Sequence, residues 1–538
     1  MNLTEALLHA LKDRGATEVF GIPGDFALPY FKVIEESGIL PLFTMSHEPS
    51  LGFAADAAAR FRGGLGVAAV TYGAGALNIV NAVAQAYAEK SSVVVISGAP
   101  GTAEPGRGLL LHHQAKTIDS QFRMFREITC DQAVLDDPAT APALIARVLR
   151  NCQEHSRPVY LEIPRDMPAA ECGPVPAHEP TPVDQDAVDA CAAEILRRIG
   201  SSDSPAMLVG VEARRFGLER EVARLAESLG IPVATSFMGS GLVADAPCLM
   251  GTYLGMAGDD ALTSVIEDSD CLLLLGVILS DTNFGISAKA IDMRRAIHIE
   301  DREVRLGFHA YPNIALDALL ESLTRQAGAA GGFKCVVERP ETVYPHGFVA
   351  DDSAPGPDDV AALYNDFFAD REPMPLAVDI GDCLFTAMSF TPTPMVAPGY
   401  YASMGFGVPA GLGLQAATGK RTIIMAGDGA FQMTGWELGN CVRHGWDPIV
   451  LVFNNASWEM LRVFQPQAAY PNIGQWDFAG VADKLGGVGH KVTTRAGLKT
   501  ALEAAYAETG RFHLLDIALP KGAISATLRK FIAGLTRK

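Results

Sequence analysis

The sequence predicts three α/β domains of similar size, each a mostly parallel sheet flanked by helices. Three observations predict this. Short apolar runs alternate with helical stretches along the chain, the rhythm of parallel sheets. Several runs are continuously apolar, as strands covered on both faces are. Two stretches rich in proline and glycine interrupt the rhythm.

Taken in order, the segment from Met1 lacks the basic start and unbroken apolar run of a secretory signal. It reads as an amphipathic helix running to Arg14 and stopped by Gly15. Strands are expected at 66–70, 93–97 and 159–163, then at 206–211 and 271–277, and finally at 376–379, 422–426 and 449–453. The first interruption, 168–186, carries Pro168, Pro174, Pro176, Pro180 and Pro182, which no helix or central strand accommodates. The second, 326–357, contains Gly328, Gly331, Gly332, Pro340, Pro345 and Pro355. Read as linkers, they leave domains at 1–168, 187–325 and 358–538.

Composition narrows the function. The 538 residues are 49% hydrophobic and 20% charged, so this is a globular chain with more than one core. Its 62 acidic residues outweigh 43 basic ones for a net charge of −19, a field that repels nucleic acid and anionic membrane. The densest apolar run, 271–279, is far short of the roughly 20 residues that span a bilayer. Nine scattered cysteines without a C-x-x-C pair, Cys335 among them, suggest a reduced, cytoplasmic protein.

One motif carries most of the chemistry. The strand at 422–426 ends in Gly427-Asp428-Gly429-Ala430, and a helical segment follows. Glycines beside the aspartate let the backbone approach a bulky anion. A helix start offers free N–H groups to phosphate. The aspartate suits a hard cation such as Mg2+, which shares its shell with phosphate oxygens. The strand at 449–453 runs into Asn454-Asn455-Ala456-Ser457, so Asn455 follows Asp428 by 27 residues. Neighbouring parallel strands bring such ends together.

Gly-Asp-Gly followed at this spacing by Asn-Asn resembles the cofactor motif of thiamine-diphosphate enzymes. The resemblance implies that Asp428, the Asn455 side chain and the Ser457 carbonyl hold Mg2+ against the diphosphate. Glu48, in Ser46-His47-Glu48-Pro49, matches the glutamate of the family's pyrimidine-binding domain, which hydrogen-bonds the aminopyrimidine and promotes the reactive carbanion. Alone, Glu48 would read as a carboxylate favoured by a helix start. The segment Ala402-Ser403-Met404-Gly405 resembles the one that bends the cofactor, with Met404 as prop and the Ala402 carbonyl as acceptor. Gly381-Asp382 falls where the family contacts the diphosphate end.

Pro23-Gly24-Asp25 and Leu111-His112-His113 together look like the pyruvate and indolepyruvate decarboxylase branch. There an aspartate and two histidines handle protons, a task for which imidazole titrates in the right range. Two departures bear on substrate. Where pyruvate-specific members carry a glutamate six residues past the metal asparagine, this chain has Leu461; Asp281 or Glu459 is expected to replace it, Asp281 being preferred. Where small-substrate members place a tryptophan, Gly381-Asp382-Cys383-Leu384-Phe385 has Leu384. That opens the pocket to phenylpyruvate or indole-3-pyruvate, with Phe531 of a C-terminal helix closing over the ring.

The family places its cofactor between the first domain of one chain and the third of another, which implies at least a dimer and a homotetramer built as a dimer of dimers. Three other readings stay open: a carboligating synthase of the same superfamily, a non-catalytic thiamine-diphosphate sensor, and a nicotinamide dehydrogenase. The last rests on Gly73 and Gly75, but Asn78 stands where the third glycine of a dinucleotide fingerprint belongs.

Overall fold

A computed structural model describes residues 1–105, 108–246, 248–289, 291–329 and 340–536. Gly331, Gly332 and Cys335 lie outside the described residues; the eight described cysteines are free. No described helix is long and apolar enough to cross a membrane.

Three sheets follow one another along the chain. The first contains β1 (Val19–Gly21), β2 (Leu42–Thr44), β3 (Gly66–Val70), β4 (Val93–Ala99), β5 (Asp131–Val134) and β6 (Val159–Pro164) in the order β2-β1-β3-β4-β6-β5, all parallel. The second contains β7 (Pro205–Val209), β8 (Val233–Thr235), β9 (Leu249–Thr252), β10 (Cys271–Leu275), β11 (Ile297–Glu300), β12 (Glu303–Leu306) and β13 (His309–Pro312). The third contains β14 (Leu376–Val378), β15 (Met395–Val396), β16 (Ile423–Gly427), β17 (Ile449–Asn454), β18 (Val488–Val492) and β19 (His513–Ala518), ordered β15-β14-β16-β17-β19-β18 and all parallel.

Every strand expected from the continuous apolar runs is present, with no end shifted by more than two residues. The expected strand at 376–379 stops at Val378 because Asp379 turns away to accept backbone N–H groups. The antiparallel β11-β12-β13 edge was not foreseen. Its strands are short, β12 alternates exposed with buried positions while the edge strand β13 has none buried, and Gly307 at φ +62° turns the hairpin. The first helix, Leu3–Asp13, starts from a capping box between Asn2 and Glu5.

The first and third domains share one apolar core. It joins Phe20, Leu51, Phe53 and Ala58 to Phe406, Val408, Leu412 and Phe431. Helices Glu48–Arg62 and Gly407–Thr418 form the seam, and a Cβ on Gly413 would stand 2.3 Å from the Ala54 carbonyl oxygen. Such an approach requires glycine. The middle domain has separate clusters of its own.

Candidate active site

β16 and β17 are hydrogen-bonded neighbours with Gly427 opposite Phe453, so the residues after both strands emerge side by side. Asp428, 3% exposed, begins the helix Asp428–Thr434. One carboxylate oxygen accepts Gly429 N–H at 2.8 Å; the other accepts Asn455 N–H at 3.1 Å and Ser457 N–H at 3.3 Å. The Asn455 amide oxygen accepts Ser457 N–H at 3.0 Å, and Ala456 between them takes φ +53°. Burial pushes the Asp428 carboxyl up to about 6 against these N–H groups, which favour the anion. A buried carboxylate beside an amide oxygen is a donor set for a hard cation, and the residues fit Mg2+.

These groups floor a cavity of about 340 Å³. Asp382, Ala402, Gly427, Gly429, Ala430 and Ser457 line it together with apolar Ile380, Met404, Met460 and Leu461. Leu461 is half exposed at its rim. Asp382 lines the wall, but its carboxylate accepts Ser525 N–H at 2.9 Å and the Ser525 hydroxyl at 2.5 Å, and burial raises it to about 6. It thereby ties the segment leading into the C-terminal helix to the cavity. Ser403 is buried beside the cavity, where Asn81 of the first domain approaches its hydroxyl at 3.4 Å.

Two residues that sequence reasoning missed hold the segment around Ala402, whose φ is +61°. Asp379 accepts Gly405 N–H at 3.0 Å, Gly407 N–H at 2.6 Å and Ile380 N–H at 2.9 Å, and burial pushes it up to about 7. Glu89, reaching across from the first domain, accepts Tyr400 N–H at 2.9 Å and Tyr401 N–H at 2.8 Å. A polar residue closing a buried strand was the available signal for Asp379; nothing local marks Glu89.

In the first domain Glu48 opens the helix Glu48–Arg62 and accepts the Asn78 side-chain N–H at 2.7 Å. Ser46 nearby donates its N–H to Glu437 of the third domain at 3.1 Å. Asp25 meets both histidines: His112 Nε2 hydrogen-bonds one carboxylate oxygen and His113 Nε2 lies 3.6 Å from the other. Burial alone would raise the Asp25 carboxyl, but the His112 hydrogen bond and charge, the Phe26 N–H and the His113 charge hold it below its ordinary value. Neither this cluster nor Glu48 lines the cavity over Asp428.

Three expected pocket or catalytic residues lie away from that lining. Leu384, 1% exposed, points into the third-domain core because it sits one step around the helix Asp382–Ala387 from cavity-lining Cys383. Phe531 packs on Phe385, with ring centroids 4.9 Å apart. Asp281 is exposed at the start of the short helix Asp281–Phe284, where Ser280 provides the cap, and flanks a separate cavity lined by Leu279, Ser280 and Phe284.

The fold and the strand-end cradle define a three-domain thiamine-diphosphate-binding protein, and comparison with known families agrees. Residues 1–124 match the N-terminal TPP binding domain of thiamine pyrophosphate enzymes, 192–323 the central domain and 379–517 the C-terminal TPP binding domain. The chain belongs to the thiamine pyrophosphate enzyme family. Among its relatives it is 58% identical over 544 aligned residues to an indole-3-pyruvate decarboxylase of Azospirillum brasilense, covering 100% of this chain and 99% of that protein. It is 30% identical to an alpha-keto-acid decarboxylase of Mycolicibacterium paratuberculosis, covering 98% of this chain and 95% of the relative. A similar enzyme of Mycobacterium avium matches at 30% over the same shares.

Proposed function

We propose that this protein decarboxylates a bulky aromatic 2-keto acid, indole-3-pyruvate or phenylpyruvate, to the aldehyde and carbon dioxide, using thiamine diphosphate and Mg2+. The observation that carries the reading is the end-to-end 58% identity to an indole-3-pyruvate decarboxylase. The convergence of Asp428 and Asn455 supports the metal and diphosphate, since Asp428 and the Asn455 amide oxygen, joined by the Ser457 carbonyl, would supply oxygen donors to Mg2+. The largely apolar wall of Ile380, Met404, Met460 and Leu461 supports an aromatic side chain.

Bound thiamine diphosphate supplies the electron sink for loss of carbon dioxide. Glu48 would share a proton with the aminopyrimidine. The Ala402 carbonyl would accept its amino group, and Met404 would pack against the bound cofactor. Gly427, Gly429 and Ala430 give the diphosphate close access to backbone. Asp25, His112 and His113 deliver the proton to carbon and remove the one lost as the aldehyde leaves. Asp281, beside a separate cavity within one chain, or Glu459, which lines the Asp428 cavity, would serve in place of the glutamate that Leu461 displaces, while Phe531, packed on Phe385, stands behind this lining.

Glu48 and the histidine cluster are absent from the cavity wall within one chain, which supports an assembly in which a second copy supplies them. We read the assembly as a homotetramer of two such dimers, working in the cytoplasm. Carbon dioxide release from indole-3-pyruvate, phenylpyruvate and pyruvate, each with and without thiamine diphosphate and Mg2+, tests the reading. Release from an aromatic acid only with both cofactors is expected; no release from any of the three overturns it.

A further inference from the structure

The turn after β3, from Thr71 to Asn78, touches Glu48 and His113 and packs on Gly24 and Phe26, the residues that flank Asp25 in the chain. Asn78 donates to Glu48, and a Cβ on Gly75 would stand 3.4 Å from a Glu48 oxygen. Thr71 packs under Gly24, the residue before Asp25, where a Cβ would come within 2.5 Å of the threonine side chain. A Cβ on Gly73 would lie 2.0 Å from the His113 carbonyl oxygen, and both residues hold left-handed φ, +63° and +65°. Tyr72 meets Phe26 edge-on at 5.3 Å, and Phe26 lies 4.7 Å from the His112 ring.

A polar cluster inside the first domain fixes this turn. Gln121, 2% exposed, accepts Gly73 N–H at 2.5 Å through its side-chain carbonyl. Its amide group donates to Ser97 Oγ and Glu162 Oε1, each at 3.0 Å, and also contacts the Tyr160 hydroxyl. Tyr160 donates to the same Glu162 oxygen at 2.8 Å. All four side chains are buried. Buried polar groups cost stability unless each finds a partner, so a connected cluster of four in an apolar domain has a use beyond packing. The hydrogen bond that leads from it toward the site is Gln121 to Gly73.

We propose that Gln121 is a positioning residue for the reaction: its carbonyl oxygen pins Gly73, and through Gly73 it holds His113 against Asp25. This rests on the decarboxylase reading above. With the bond removed, Gly73 and the His113 backbone lying on it drift together. Proton transfer from the cluster then suffers, while the cradle at Asp428, built from another domain, is untouched.

Gln121→Met keeps the length of the side chain and removes both amide functions. It is expected to lower kcat about tenfold, since small misplacements of reacting groups cost up to ~10² in rate. KM and the affinity for thiamine diphosphate with Mg2+, read by titration calorimetry, stay near wild type. The acid limb of the kcat–pH profile moves, because it reports the proton-handling groups. A profile superimposable on wild type, with only the melting temperature lowered, overturns the assignment. Should Gln121→Met not fold, Ser97→Ala removes one partner of the Gln121 amide and gives the same readout at smaller amplitude, and an unmoved profile there overturns it equally. The unaltered chain is assayed first with indole-3-pyruvate. Silence at that step sinks the proposed function, whereas an active wild type with unmoved variants sinks only the role of Gln121.

Discussion

Asp428 is 3% exposed and accepts backbone N–H groups from three residues, whereas Asp25 is 43% exposed and meets two side chains that are themselves half open to water. The third-domain half of the site is thus a cradle complete within one chain, held by main-chain geometry. The first-domain half is a set of projecting side chains whose surroundings are unfinished. Binding of the diphosphate end needs only a rigid niche; proton transfer needs groups that a covering surface can desolvate at the moment of use.

Replacements in the two halves therefore fail differently. The largest effect is expected at Glu48: Glu48→Gln should cut turnover about 10³-fold while cofactor affinity by calorimetry changes little. A comparable loss of affinity would erase the division between the halves. Asp428→Ala should do the reverse, weakening thiamine diphosphate and Mg2+ binding about 10²-fold. Because burial raises the Asp428 carboxyl, its removal should leave the cofactor-free melting temperature unchanged or higher.

Asp25→Asn should lower kcat about 10²-fold and move the acid limb of the pH profile, because it removes the carboxylate that both histidines face. Asp25 is held below its ordinary value, so the stabilisation of its carboxylate is fully present above that ordinary value and is lost as pH falls through the lowered one. Acid inactivation between about pH 7 and 5 must then come from other groups, since an ordinary aspartate titrates near 3.9. An acid limb superimposable on that of the unaltered protein would refute this. The smallest effect is expected at Leu461→Trp, which should raise KM for indole-3-pyruvate relative to pyruvate about tenfold by filling the cavity rim.

The parallel sheets and the strand-end cradle were legible because both are local: continuous apolar runs mark buried strands, and Gly427-Asp428-Gly429 and Asn454-Asn455 each end one. Asp25 with His112 and His113 was legible through family resemblance, not through spacing, since 87 residues separate Asp25 from His112. Glu89 and Gln121 escaped because their meaning lies in backbone groups far along the chain, which no pattern of side chains encodes, whereas Asp379 was marked only by closing a buried strand. Leu384 was misplaced because the same short helix offers Cys383 to the cavity and Leu384 to the core, a difference of one residue that composition cannot resolve.

The crossing of Gly413 over Ala54 joins the outer domains more closely than the linkers join either to the middle one. Heat that loosens one of them must expose the seam of the other, so the pair should melt as a single cooperative block, to which the middle domain is tied through Phe237 in the third-domain core and through Lys90 with Glu212. A bulkier residue at position 413 would pry that block apart and disable Glu48 and Asp428 together, although neither would have been altered.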